Sequence, residues 1–140
     1  MSKKFYITTT LPYVNADPHI GHAMEFIRAD VIARFWRGEG RQVFFNTGTD
    51  EHGQKIWEGA QKENLTPKDY TDKYSDRFKE FCKLTNISYD GFLRTTDERH
   101  IAAAQKMWSI CLEKGDIYKA KQTINYCVGC EMEKTDSELV

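Results

Sequence analysis

The sequence predicts an α/β fold built on a parallel sheet, and three observations carry that reading. Phe5-Tyr6-Ile7-Thr8-Thr9-Thr10-Leu11 and Gln42-Val43-Phe44-Phe45-Asn46 are strand-like runs rich in β-branched and aromatic residues. A long stretch of helical periodicity lies between them. Each run passes through a turn into a helix start, so strand, helix, strand and helix follow within about sixty residues. Two parallel strands joined by a helical crossover satisfy that order, and such crossovers are right-handed by rule. Both strand-to-helix turns then lie at the C-terminal edge of the sheet, where open α/β sheets bind their ligands.

Pro12 ends the first strand, and the turn Tyr13-Val14-Asn15-Ala16-Asp17 follows. Asp17-Pro18 reads as a helix start, with a carboxylate at the N-cap and proline at the first helical position. Ile20, Met24, Ile27, Val31 and Phe35 recur at steps of four and three, an apolar stripe expected to face the sheet. Gly38 and Gly40 end that helix. After the second strand, Thr47-Gly48-Thr49-Asp50 turns into a helix near Glu51, with Asp50 able to cap it.

Two further helices are predicted. Thr66-Pro67 starts one, with Asp69 three residues after the cap and Tyr70, Tyr74, Phe78 and Phe81 on the buried side. Thr95-x-x-Glu98 reads as a capping box for the next, which carries Ile101, Ala104, Trp108, Cys111 and Leu112 and stops at Gly115. The character then changes to short strand-like runs, Ile117-Tyr118 and Thr123-Ile124-Asn125-Tyr126. Two domains are expected, 1–115 and 116–140.

Composition bounds the function. With 140 residues, 40% of them hydrophobic and 29% charged, the chain reads as a soluble globular protein. No apolar run approaches the ~20 residues that span a bilayer, and no signal-like stretch follows Met1, so the expectation is cytoplasmic with no membrane partner. A balance of 20 basic to 21 acidic residues gives no bulk attraction for a polyanion.

His19-Ile20-Gly21-His22 is the most informative segment. It falls at a helix start, where backbone N–H groups lack partners and the macrodipole favours anions. His19 and His22 are three residues apart and share a face, each offering an imidazole donor. Gly21 leaves room for a flat group such as adenine. Phosphate or nucleotide binding is the reading favoured over two ordinary polar residues. It is favoured also over a metal, which the positive helix end would repel.

The four cysteines are of two kinds. Cys82 and Cys111 sit within amphipathic patterns and are expected to be buried thiols. Cys127-Val128-Gly129-Cys130 is a C-x-x-C pair that reads as half of a zinc knuckle, as a redox pair, or as two inert thiols. Nothing helical follows it, which counts against the redox reading, and no second pair of ligands at knuckle spacing occurs in these residues.

His19-Ile20-Gly21-His22 is similar to the nucleotide-binding signature of class I aminoacyl-tRNA synthetases. The wider run from Leu11 to His22, with Thr47-Gly48-Thr49-Asp50-Glu51-His52-Gly53-Gln54-Lys55-Ile56, resembles the methionyl-tRNA synthetases. Asn86-Ile87-Ser88-Tyr89-Asp90 and Thr95-Thr96-Asp97-Glu98-Arg99-His100 also match that family, so the resemblance runs the whole chain.

The resemblance implies a methionine–tRNA ligase that makes methionyl-adenylate from methionine and ATP, with Mg2+, and passes the methionyl group to tRNA(Met). Residues 1–115 would be the N-terminal half of a Rossmann-like catalytic domain, and 116–140 the start of an inserted connective zinc-knuckle domain. His19 and His22 would be catalytic, contacting ATP and stabilising the transition state by position and charge. Gly21 and Glu25 would complete the ATP site, Glu25 holding the ribose. Asp50 would pair with the α-ammonium of methionine, and Leu11 and Tyr13 would line its pocket, although Leu11 also fits simple core packing. Cys127 and Cys130 would be two zinc ligands, their partners following a Glu-Leu-Val run like Glu138-Leu139-Val140. His52 and His100 receive no role.

No lysine-rich Lys-Met-Ser-Lys-Ser type of loop occurs in the chain, so it reads as an N-terminal fragment expected not to charge tRNA alone, tRNA contacts lying elsewhere in the protein. A non-catalytic nucleotide- or partner-binding module and a stand-alone nucleotidyltransferase are the alternatives. The second would not need the Thr47 to Ile56 block.

Overall fold

A computed structural model describes residues 3–121, 123–127, 129 and 132–134. Backbone packing separates two compact units, Met1–Ala104 and Gln105–Val140.

The first unit is a two-layer α/β structure. Strands β1 (Lys4–Thr8), β2 (Gln42–Thr49) and β3 (Gly91–Arg94) form one sheet in the order β1-β2-β3. Both pairings are parallel, Lys4 to Thr8 against Gln42 to Asn46, and Asn46 to Thr49 against Gly91 to Arg94. The expected parallel sheet is present, with a strand that periodicity did not reveal. β3 has only four residues, too short for alternation to register.

Helices α1 (Ile20–Gly38), α2 (Gln54–Lys62) and α3 (Pro67–Leu84) join these strands. The core forms where α1 and α3 meet one sheet face, around Phe26, Ala29, Ala33, Phe45 and Phe78. On the opposite face Tyr6 and Phe44 stack at 6.0 Å and stay exposed.

Several local expectations are corrected. The stripe Ile20, Met24, Ile27, Val31 and Phe35 faces outward, Ile20 being 85% exposed. The buried face is instead Phe26, Ala29, Asp30 and Ala33. Small alanines at that face allow the helix close to the sheet, and the larger side chains point away from it. Asp17 does not cap α1, because the cap is His19, and Asp17 pairs with Arg77 of α3 at 2.5 Å. Asp50 does not cap α2 either. β2 continues to Thr49, and α2 starts only after Gly53, whose φ of 125° is a backbone that glycine tolerates.

α3 begins as read: Thr66 Oγ1 accepts the Asp69 N–H at 3.1 Å, with proline in the first turn. The link from α3 to β3 is clamped to α1. Asp30 accepts from the Ser88 N–H at 2.7 Å and pairs with Arg34, while Arg37 reaches the Ser88 carbonyl and Asp90. Burial works to raise the Asp30 carboxyl, but its bonds to Ser88 and Arg34 outweigh it and hold the group low.

Helix α4 (Glu98–Glu113) buries none of its residues, and Trp108 and Leu112 are exposed. The division between the units therefore falls within α4, before the change of sequence character at Asp116. Thr95 does not cap α4 as expected; the Asp97 carbonyl accepts the Ile101 N–H, and Asp97 Oδ2 accepts the Arg94 N–H. Cys82 is buried, and desolvation pushes its thiol up to about 11; Cys111 is only half-buried. In the second unit β4 (Asn125–Cys127) and β5 (Met132–Lys134) pair antiparallel. Among the described residues no helix is long and apolar enough to cross a membrane.

Candidate nucleotide and amino-acid site

His19 is the N-cap of α1, and its backbone is extended (φ −129°, ψ 176°). Its Nδ1 accepts the Gly21 N–H at 3.1 Å, while His22 Nδ1 accepts the His19 N–H at 3.2 Å. The histidines thus form a reciprocal capping box, the work that Ser and Glu do in the common form. Because each Nδ1 is an acceptor, each neutral ring carries its proton on Nε2. The rings stack, centroids 3.8 Å apart, so two Nε2–H donors stand together at a positive helix end.

Burial against the core lowers the His22 pKa below 6.5, and repulsion from His19 lowers it further. The ring edge meets Phe78 at 5.1 Å. A β-carbon on Gly21 would lie 2.9 Å from His19 Cε1, so this glycine lets the His19 ring fold over the helix start.

Glu25 lies one turn further on. Its Oε1 accepts the Thr10 N–H at 2.6 Å, and the Thr10 hydroxyl lies 2.9 Å from each carboxylate oxygen. The Glu25 carboxylate therefore fixes the residue before Leu11.

The turn after β1 is tied to the turn after β2. Asp50 N–H donates to the Pro12 carbonyl at 2.9 Å, Val14 N–H donates to the Asp50 carbonyl at 3.2 Å, and Tyr13 and Asp50 form a parallel bridge. Val14 is fully buried, whereas Tyr13 is exposed and Leu11 half-buried. Tyr70 of α3 donates to the Asn15 carbonyl at 3.1 Å. Leu11, Tyr13 and Asp50 are thereby assembled at one sheet edge. Glu25 joins them through Thr10, and His19 and His22 stand on the same helix as Glu25.

Beneath Asp50 lies a polar cluster that sequence reasoning missed. The Glu51 side chain is fully buried and takes Arg94 in two bonds of 2.6 and 3.0 Å. Thr49 also donates to Glu51, as does Thr96. Arg94 reaches Asp72 at 2.5 Å, and although burial opposes its charge, the two carboxylates raise its pKa. The one available signal was the adjacency of an acidic residue to Asp50 in a strand-end run. His52 approaches the Thr95 carbonyl through Nε2 at 3.4 Å, and His100 has no part in this cluster.

Cys127 ends β4, and Cys130 lies outside the described residues. Among the described residues no three His, Cys, Asp or Glu side chains are grouped to hold a metal ion.

The family model described as tRNA synthetases class I (M) matches residues 5–140. Methionine–tRNA ligase of Campylobacter jejuni is 49% identical over 135 residues, covering 96% of this chain and 22% of the relative. The Thermotoga maritima ligase is 45% identical over 137 residues, with 98% and 22% covered. The structure of Mycobacterium tuberculosis methionyl-tRNA synthetase in complex with methionyl-adenylate superposes with a TM-score of 0.93 at 40% identity. It covers 97% of this chain and 27% of that one. The chain thus spans about a fifth of the length of its curated relatives.

Proposed function

Because this chain belongs to the class I tRNA synthetases (M), we propose that the protein carrying it is a methionine–tRNA ligase. The methionine carboxylate attacks the α-phosphorus of ATP, accompanied by Mg2+, and pyrophosphate leaves. The methionyl group then passes from the adenylate to tRNA(Met), which other parts of the protein hold. The observation that carries the reading is the paired capping of His19 and His22, which turns two Nε2–H donors outward at a helix N-terminus.

In this reading the two donors meet the phosphates and stabilise charge that grows in the transition state. Capping fixes their tautomer before substrate arrives, so little reorganisation opposes the step. Gly21 and Glu25 complete the ATP site. Asp50 meets the methionine ammonium, with Leu11 and Tyr13 beside the side chain. Residues 1–115 are assigned as the first half of the catalytic domain and 116–140 as the start of a connective domain. There Cys127 and Cys130 fit as two of the four ligands of a structural zinc, thiolates at knuckle spacing around Gly129. A cytoplasmic location follows from the need for tRNA and ATP.

ATP–pyrophosphate exchange with a full-length protein carrying this chain tests the reading. His19→Ala and His22→Ala each lower kcat about a hundredfold or more with little change in methionine KM. Exchange within about threefold of wild type in both variants overturns it.

A further inference from the structure

We propose that Thr95 is a positioning residue for Asp50, holding the carboxylate in place through a hydroxyl whose proton direction is fixed. The proposal rests on the reading of Asp50 as partner of the methionine ammonium and adds how that carboxylate is aimed.

Thr95 follows the end of β3 and is buried, and its N–H donates to the Thr49 carbonyl at 3.1 Å. Its Oγ1 accepts the Glu51 N–H at 2.8 Å and lies 3.3 Å from Asp50 Oδ1. A hydroxyl has one proton to give. With the Glu51 N–H already pointing at the oxygen, that proton is free to go to Asp50, whose carboxylate can only accept when ionised. The His52 N–H also meets Oδ1, at 3.3 Å. Both donors therefore hold the same oxygen, and Oδ2 is left for a substrate ammonium. Bonds of 3.3 Å are long, as hydrogen bonds in ligand-free sites often are before substrate draws them in.

Thr95 is itself immobilised. Its flanking residues Arg94 and Thr96 both bind the buried Glu51 carboxylate, so the segment is tied on either side of Thr95. Glu51 is the neighbour of Asp50 in the chain, so the same residue supplies the N–H that orients the hydroxyl and the carboxylate that anchors its neighbours. A threonine capping α4 would instead direct its hydroxyl into the helix, and here Asp97 occupies that position.

The test compares Thr95→Val, Thr95→Ser, Asp50→Asn and the Asp50→Asn/Thr95→Val double variant in a full-length protein carrying this chain, by pyrophosphate exchange. Thr95→Val raises the methionine KM about tenfold, the scale of one hydrogen bond to a charged group, and leaves the ATP KM within about twofold. Thr95→Ser, which keeps the hydroxyl, behaves as wild type. The double variant is no worse than Asp50→Asn alone, because the hydroxyl acts only through the carboxylate. If Asp50→Asn raises the methionine KM but Thr95→Val does not, the proposal is overturned and the Asp50 reading stands. Equal rises in both KM values, a serine variant as impaired as valine, or additive effects also overturn it. If Asp50→Asn leaves the methionine KM unchanged, the Asp50 reading fails and the proposal with it. Should Thr95→Val not fold, Thr95→Cys replaces it, since a thiol is a weaker donor to the carboxylate and must give the same KM split.

Discussion

Thr10 meets Glu25 at three points, its N–H 2.6 Å from Oε1 and its hydroxyl 2.9 Å from both carboxylate oxygens. Thr10 lies just past the end of β1 and Glu25 in the second turn of α1, so this contact joins the two halves of the candidate site. In the proposed site, Glu25 would then hold the Leu11–Tyr13 segment as well as the ribose. Glu25→Ala should raise the KM of methionine as well as that of ATP, each about three- to tenfold, because the Leu11–Tyr13 segment loses its anchor. A rise confined to ATP in pyrophosphate exchange would show that Glu25 serves the nucleotide alone.

His22 should titrate below the ordinary value of 6.5, since burial and the neighbouring His19 both oppose its charge. The sign for stability follows. The unfolded chain binds a proton at higher pH than the folded chain does, so His22 costs no stability above 6.5, and stability is lost as pH falls from there through the depressed folded value. NMR titration of the ring protons checks the shift, and His19→Ala should move the midpoint upward. A midpoint at or above 6.5 in the parent protein would contradict this environment.

Arg94→Ala should destabilise the first unit by about 3–5 kcal/mol, because it strands the buried Glu51 carboxylate. Arg94→Lys should recover only part of that loss, since an ammonium cannot form the two parallel bonds that the guanidinium makes. Denaturant unfolding measures both. A lysine variant as stable as the parent would mean that charge alone matters here.

Gly48→Ala should be among the most damaging substitutions in the sheet. Gly48 sits at φ +158°, and a β-carbon there would lie 1.7 Å from the Leu93 carbonyl oxygen. The added atom forces β2 and β3 apart and should cost about 2–6 kcal/mol in strain and overpacking together. Gly38→Ala, where nothing lies within 4 Å, is the control and should be neutral or slightly stabilising. Thermal melts of the two variants separate these outcomes, and a Gly48→Ala protein that melts with the parent would refute the close approach.

Local chemistry was legible in the sequence where it depends on neighbours in the chain. Thr66-Pro67 starts α3, the runs from Phe5 and from Gln42 are strands while Ile117-Tyr118 is not, and the His19–His22 pair sits at a helix start because spacing of three closes a turn. The family resemblance was legible for the same reason, being carried by short ordered blocks. Tertiary structure decided the rest. α1 has apolar residues on two faces, and periodicity gives the angle between them but not which one the sheet takes; the face with Ala29 and Ala33 is buried, and the larger stripe from Ile20 to Phe35 is left outside. Thr95 read as a helix cap by its spacing to Glu98, yet its hydroxyl serves Asp50 and Glu51, more than forty positions earlier in the chain. A hydroxyl bonds whatever polar group lies within about 3 Å, and only folding brings the ends of β2 and β3 to that distance.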